Sequence, residues 1–342
     1  MQNKVKLRTL SVVLLAILLF VPTFSITTYA RDIKNLDEIE LCTGGMPFGV
    51  KISSPGLTVV KFNATKGKNA SSAYLAGLRE GDIITHVNGV RVTTIESFIK
   101  EIDKAGANTI KLVARRNGKE LTFNVKPKYS RDDGRYKTGI FIKDSTAGIG
   151  TVTFIDPETG SFGGLGHAIS DTSSGKPTVF TQGAVMDVKI NGVIKGTVGT
   201  PGELKGAFSS KRTGKLLKNC NAGVFGVLSN DSNYKTSEKI KICPKNEINE
   251  GEAYIKCTLN SGGIGTYKVK IYDIDTSNSG VKNFKIKVTD KKLLELSGGI
   301  VQGMSGSPVI QNGKLVGAVT HVLINDPTTG YGIFIENMLK EI

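Results

Sequence analysis

Hydrophobic positions change pattern three times along the chain. From residue 10 to about residue 26 apolar residues are nearly continuous, preceded by Lys4, Lys6 and Arg8 and followed by Thr28-Tyr29-Ala30. A basic start, an apolar run and a small-residue site predict an export segment over residues 1–30. Pro22 lies inside the run, which is near the lower limit for spanning a bilayer, so both a cleaved signal peptide and a retained N-terminal membrane anchor fit. From residue 40 to 128 strand-like and helical patterns alternate. Residues 46–50 and 57–60 read as strands, 71–78 as a short helical turn closed by glycine, and 79–89 as a turn, a buried strand and an Asn-Gly turn. In residues 94–105, Ile95, Phe98, Ile99 and Ile102 share one helical face, Thr94 supplies a cap and Gly106 a stop. Strands at 109–115 and 120–126 flank Asn117-Gly118. Residues 129–137 are polar and read as a linker.

From residue 138 onward the period is that of strands, in short runs at 139–142, 150–155, 178–180, 184–190, 196–198, 223–228, 253–259, 267–274 and 283–288. Helical spacing is nearly absent apart from the last few residues. Many short strands with glycine turns predict a barrel or sandwich. Asp156-Pro157-Glu158-Thr159-Gly160 and Asp326-Pro327-Thr328-Thr329-Gly330 nearly repeat each other, and both read as turns.

With 342 residues the chain has room for two domains and a leader, and its 41 glycines suit a turn-rich β fold. The net charge of +15 raises the question of nucleic acid. The lysines are scattered through strand-like segments without a recognition motif or aromatic stacking pattern, which points instead to a solvated lysine-rich face, with weak attraction to an anionic membrane surface as a second use. Cys42, Cys220, Cys243 and Cys257 allow three complete pairings, and their spacing selects none. With neither Cys-x-x-Cys nor His-Glu-x-x-His present, no metal site and no cofactor are expected.

The candidate chemistry centres on residues 298–321, GGIVQGMSGSPVIQNGKLVGAVTH. Gly303-Met304-Ser305-Gly306-Ser307-Pro308 frames a serine with small residues, so the backbone can turn tightly and aim N–H groups at one point. A strand, an Asn312-Gly313 turn and a second strand follow. A plain Gly/Ser β-turn without chemistry fits the hexapeptide too. As a nucleophile Ser305 needs a base, and histidine suits that task near neutral pH. Of His86, His167 and His321, the first sits in a strand of the N-terminal region and reads as packing or surface. His167 is set among small residues in Ser161-Phe162-Gly163-Gly164-Leu165-Gly166-His167, and His321 ends the strand after the serine hairpin. His167 is the preferred base and His321 the alternative. Asp171, Asp187, Asp231, Asp273, Asp275 and Asp290 lie between His167 and Ser305, and residue chemistry alone does not choose an acid among them.

Two resemblances extend this reading. Ala76-Gly77-Leu78-x-x-Gly81-Asp82-Ile83-Ile84-x-x-Val87-Asn88-Gly89 resembles a PDZ domain over residues 40–128, and Pro47-Phe48-Gly49-Val50 then looks like that family's carboxylate-binding loop, with Phe48, Gly49 and Val50 contacting a peptide end added to the sheet edge, and with core packing of Phe48 and Val50 as the other reading. The serine turn and its hairpin resemble trypsin-like serine peptidases. Together with the His167 segment and the order of leader, PDZ domain and peptidase, they make the exported part similar to the SpoIVB peptidases of endospore-forming bacteria. The resemblance implies a mainly β chain: an α+β PDZ domain over 40–128, a linker over 129–137, and a trypsin-like double β-barrel over 138–342. It implies Ser305 as nucleophile, His167 as base and Asp290 as acid, with the backbone N–H groups of Gly303 and Ser305 as oxyanion hole. It further implies an enzyme in the forespore intermembrane space, near the inner forespore membrane. Such an enzyme cleaves itself and then the regulatory subunit (SpoIVFA) of a membrane metalloprotease complex, releasing pro-sigma-K processing. Its PDZ domain holds a peptide C-terminus or its own N-terminal segment. A non-catalytic exported PDZ scaffold and a general envelope quality-control protease are the other readings.

Overall fold

Phe48, Val50 and Ile52 alternate with Gly49, Lys51 and Ser53, and the three apolar side chains are fully buried in one core with Val152, Phe162, Val185, Leu216 and Val224. That alternation belongs to the second strand of a computed structural model that describes residues 36–67, 70–170, 175–229 and 238–342. The expected export segment and the candidate acids Asp171 and Asp231 lie outside the described residues. After β1 (Glu40–Thr43), β2 (Pro47–Phe62) pairs antiparallel with β9 (Ile140–Ile155). The sheet runs on from β9 through β10 (Ser161–Gly164), β13 (Gly223–Leu228), β12 (Glu203–Cys220) and β11 (Gln182–Ile194) back to β2, closing a barrel. β14 (Lys239–Lys241) extends its edge by pairing with β1.

The pairing of β2 with β9 slips after Ser53, which faces Ser145; the next pair is Thr58 with Lys143. Beyond the slip the same two strands serve a different core, formed by Leu57, Val59, Ala73, Leu78, Ile84, Phe98, Ile102, Ile110, Leu112 and Phe123. This is the PDZ core. Between the two strands the chain forms α1 (Ser72–Leu75), β3 (Ile83–Val87), β4 (Val90–Arg91), α2 (Ile95–Ala105), β5 (Ile110–Arg116) and β6 (Lys119–Val125). Ser71 caps α1, and Thr94 with Ser97 forms a capping box on α2. Asp82, fully buried, accepts two hydrogen bonds from the Arg116 guanidinium and one from Arg79 N–H, which pins the turn before β3 to β5.

The domain boundaries expected from composition are therefore corrected. Residues 47–53 belong to the first barrel, the PDZ unit sits at the tip of a barrel hairpin, and residues 129–137 are no open linker. They form most of a hairpin of β7 (Lys128–Ser130) and β8 (Arg135–Lys137), with Tyr136 packed on the PDZ core. Composition marks loops, but no loop marks this junction, because β2 and β9 pass straight through it.

The second barrel is β15 (Gly251–Thr258), β16 (Ile264–Tyr272), β17 (Phe284–Val288), β20 (Asp326–Phe334), β19 (Lys314–Leu323) and β18 (Pro308–Gln311), closed by pairing of β18 with β15. Its core includes Ala253, Ile255, Val269, Ile271, Phe284, Ile286, Val309 and Val319. α3 (Lys291–Ser297) precedes the serine turn, and α4 (Ile335–Leu339) covers β19 and β20. Two expectations change here. Seven residues were too few for α3 to show a helical period. Residues 326–330, expected as a turn, begin β20, with Asp326 accepting from Lys287, Thr328 and Thr329.

Candidate active site

The serine turn is built by close backbone approach. α3 ends at Gly298 in the left-handed region, and the chain then runs beside Gly202–Leu204, with Gln302 N–H donating to Gly202 O and Leu204 N–H to Gln302 O, both at 2.8 Å. Met304 N–H donates to Val301 O (3.1 Å) and Ser307 N–H to Met304 O (2.9 Å), closing a tight turn around Ser305. From the first barrel, Thr151 N–H donates to Ser305 O (2.9 Å), Thr151 Oγ1 to Gly303 O (2.8 Å) and Thr153 Oγ1 to Gly306 O (2.7 Å). Gly306 has φ +94°, and a Cβ there would lie 2.0 Å from Thr151 O, so glycine alone lets the turn sit on β9. Among the described residues the N–H groups of Gly303 and Ser305 have no acceptor within the protein. Two unsatisfied donors flanking a hydroxyl are what an oxyanion requires.

The histidine reaches this turn from the first barrel. After β10 the chain passes through Leu165 (φ 64°) and Gly166 (φ 66°), both left-handed, and Gly166 abuts Thr320 of β19 so closely that a Cβ would meet its Cγ2 at 2.9 Å. His167, Ser305, His321, Thr320 and Gly303 line one cavity of about 430 Å³ between the barrels, with Ile149, Ile300, Val301 and Val322 giving it apolar walls. His167 Nδ1–H donates to Ala168 O (2.9 Å), because a carbonyl can only accept; Nε2 therefore keeps its lone pair. Burial holds the His167 imidazole below its ordinary value of 6.5, so it is neutral and fit to accept a proton near neutral pH. The Ser305 hydroxyl donates to Thr320 O (2.9 Å) in this arrangement. The rings of His167 and His321 lie 5.0 Å apart between centroids. His321 is pushed down to about 4 by burial first, then by the charge of His167 and Lys282, although the residue as a whole is exposed.

Ser305, His167, His321 and the Gly303 and Ser305 N–H groups are thus brought together, and Asp290 is not. Its Oδ1 accepts from Leu293 N–H (3.0 Å) and its Oδ2 from Lys268 N–H (3.2 Å), so it caps α3 and ties it to β16. Among the described residues no carboxylate lines the cavity: Asp273 pairs with Lys285, and Asp275 folds back on Ser277. Nor does any cluster of three or more His, Cys, Asp or Glu suit a metal ion among the described residues. Sequence reasoning missed Thr151, Thr153 and Thr320, since nothing local marks a strand threonine as the anchor of a distant turn.

Phe48, Gly49 and Val50 do not form a carboxylate loop. Both edges of β2 are paired there, with Ile149 opposite Gly49 on one side and Met186 on the other, and Phe48 and Val50 are buried in the first barrel. No free N–H edge remains to receive a peptide strand. The open edge is elsewhere. Residues 140–143 of β9 pair with β2 on one side and with no strand on the other among the described residues. A groove separates this edge from Ile95, Phe98, Ile99 and Ile102 of α2, and both basic (Lys128, Arg131, Arg135, Lys137) and acidic (Asp103, Asp132, Asp133) residues line it.

Two β-barrels meeting at a cleft that holds a serine turn and a histidine, with a PDZ unit carried on the first barrel, define the trypsin-like serine peptidase class. The chain belongs to the SpoIVB peptidase S55 family, whose sequence profile matches residues 134–339, and a PDZ-domain profile matches residues 65–116. The putative zinc metalloprotease LL2128 of Lactococcus lactis subsp. lactis is 35% identical over 95 residues, 28% of this chain; the match spans 20% of that relative's length. Among solved structures, the active form of the Rv3671c protease from M. tuberculosis is similar over 57% of this chain and 72% of its own, at 12% identity and a TM-score of 0.34. The PDZ domain of the SdrC-like protein Lmo2051 from Listeria monocytogenes is similar over 27% of this chain and 93% of its own, at 22% identity and a TM-score of 0.23.

Proposed function

We propose that this chain is an exported serine endopeptidase of sporulation that cleaves itself and then the SpoIVFA-like regulatory subunit of a membrane metalloprotease complex, so triggering pro-sigma-K processing from the forespore intermembrane space. The observation that carries the peptidase reading is the pair of unsatisfied N–H groups around Ser305 in one cavity with His167. Membership of the SpoIVB family supports the sporulation role.

In the reaction the Ser305 hydroxyl turns from Thr320 O to His167 Nε2 and gives up its proton there while Oγ bonds to the peptide carbonyl carbon. The oxyanion forms against the Gly303 and Ser305 N–H groups. Collapse breaks the C–N bond, His167 returns the proton to the leaving amine, and water then repeats the sequence on the acyl-enzyme. Ile300, Val301 and Val322 favour an apolar side chain before the scissile bond. The PDZ groove receives a peptide C-terminus, of the target or of a processed segment of this chain, as an added strand along residues 140–143.

Mass spectrometry of the purified chain, alone and with a SpoIVFA-like partner, tests the proposal. Wild type is expected to show a trimmed N-terminus and a small set of cuts in the partner, and Ser305→Ala to lose both by a factor on the order of 10⁴ to 10⁶. Trimming of Ser305→Ala at the same positions and rate overturns the reading. Broad degradation of casein by the wild type favours a general quality-control protease.

A further inference from the structure

One side of β9 is paired with β2 from Ile140 to Thr151. The other side meets β1 and β10 only from Val152 onward, so among the described residues it carries no strand between Ile140 and Ile149. Ala147 and Gly148 are exposed there. The slip in the hairpin is taken up by β2, which passes from Ser53 to Thr58 while β9 passes only from Ser145 to Lys143, so β9 runs on as a strand. Its free side borders the PDZ groove at residues 140–142 and the cavity of Ser305 and His167 at residues 146–149. Both ends of this side are stopped. Thr151 N–H points away from β2 and is taken by Ser305 O at 2.9 Å. Before Ile140, Gly139 O accepts from Asn63 N–H, and Thr138 O accepts from Ala73 N–H and the Ser71 hydroxyl, so an added strand finds no partner beyond that point. Pairing with β2 is regular from Ser145 to Thr151, so the backbone groups of Ser145, Ala147 and Ile149 point outward as those of Thr151 do.

These limits give a substrate its direction. With Ile300, Val301 and Val322 taking the side chain before the scissile bond, the residues after the bond leave along residues 146–149. They then run from Ile149 toward Ile140, antiparallel to β9, and the end that arrives at the stop beside Gly139 is a C-terminus. We propose that the free side of β9 is one continuous substrate strand site joining the cleft to the PDZ groove, so that this peptidase cuts about ten residues before a free C-terminus. Ile149 and Ile140 are roughly 30 Å apart at about 3.3 Å per residue, and an antiparallel partner matches β9 residue for residue. The spacing holds where the captured end and the scissile bond belong to one polypeptide. The proposal rests on Ser305 and His167 as the reacting pair and on the groove receiving a C-terminus, as put forward above.

The test gives the full chain a mixture of synthetic random-sequence peptides of three lengths, all longer than the edge, each made as the free acid and as the C-terminal amide. Mass spectrometry maps every cut. For the acids, cuts should gather about ten residues before the C-terminus at all three lengths, and so at three different distances from the N-terminus. The amides should be cut about 10- to 100-fold more slowly and without that spacing. Ala147→Pro removes one outward N–H from the middle of the edge and no bond to β2. It should cut the acids at least about tenfold more slowly and lose the spacing, whereas Ala147→Val, which keeps the N–H, should retain it. Circular dichroism checks folding, and if Ala147→Pro does not fold the comparison of acids with amides decides alone. The proposal is overturned if wild-type cuts keep no fixed distance from the C-terminus, if wild type leaves the acids uncut, if amides are cut like acids, or if folded Ala147→Pro keeps the spacing. The peptidase reading is checked separately with a fluorophosphonate probe, whose phosphorus bonds to an activated serine with loss of fluoride. Scattered cuts by a chain that labels at Ser305 remove the spacing and leave the peptidase. Cutting by Ser305→Ala at the wild-type rate removes the peptidase reading itself.

Discussion

Two residues set the electrostatics of the cleft, and each does so through contact rather than sequence position. His167 is held neutral by burial and His321 is held at about 4, so both stay unprotonated in the folded chain where the unfolded chain takes up protons. The sign follows from linkage. Between the unfolded value near 6.5 and the lower folded values the native state binds fewer protons, so stability is complete above about 6.5 and is lost as pH falls toward 4. The midpoint of thermal unfolding should decline over that window, and His321→Phe, with one such group fewer, should decline less steeply. Gly306 is the other residue-scale constraint. With φ at +94° and Thr151 O 2.0 Å from any added Cβ, Gly306→Ala must push the serine turn off β9. We expect a loss of about 2 kcal/mol or more in denaturant unfolding, together with loss of probe labelling at Ser305.

At the scale of elements, the serine turn is held by a strand of the other barrel. Thr151 gives the serine turn two hydrogen bonds, from N–H to Ser305 O and from Oγ1 to Gly303 O, and Thr153 gives a third. The Oγ1 bond fixes the peptide plane that precedes Met304 and so helps aim the turn's donors. Thr151→Val keeps the shape and removes that bond; its kcat should fall about tenfold with KM little changed, while Thr151→Ser stays near wild type. The carboxylate of Asp290 is used in the fold as the cap of α3. Asp290 carries the residue type an acid needs, but its two oxygens are spent on backbone N–H groups of Leu293 and Lys268. Only a folded chain reveals that both are occupied.

At the scale of the molecule, one long strand joins the two functions. β9 is 16 residues, roughly 50 Å at about 3.3 Å per residue. Its start is the open edge of the PDZ groove, residues 146–149 line the cavity that holds Ser305 and His167, and Thr151 anchors the serine turn. Because the PDZ unit sits at the tip of the β2–β9 hairpin, where Ser53 faces Ser145, the first barrel is complete without it. Replacing residues 54–144 with an Asn-Gly turn should leave a folded chain that labels at Ser305 and no longer binds C-terminal peptides. Circular dichroism, probe labelling and peptide titration check the three parts separately.

The sequence by itself determined what depends on neighbours in the chain. The glycine-framed serine, the small-residue histidine segment, the α2 face of Ile95, Phe98, Ile99 and Ile102, and the β character after residue 138 are all local patterns of sterics and periodicity. The tertiary structure decided what depends on pairing at a distance. It put Phe48-Gly49-Val50 inside a barrel, moved the open PDZ edge to residues 140–143, turned Asp290 into a helix cap and set His321 against His167. Strand pairing here joins residues more than a hundred positions apart, as with Pro47 opposite Thr151. An alternating run such as Phe48, Val50 and Ile52 records that a face is buried but not which core buries it.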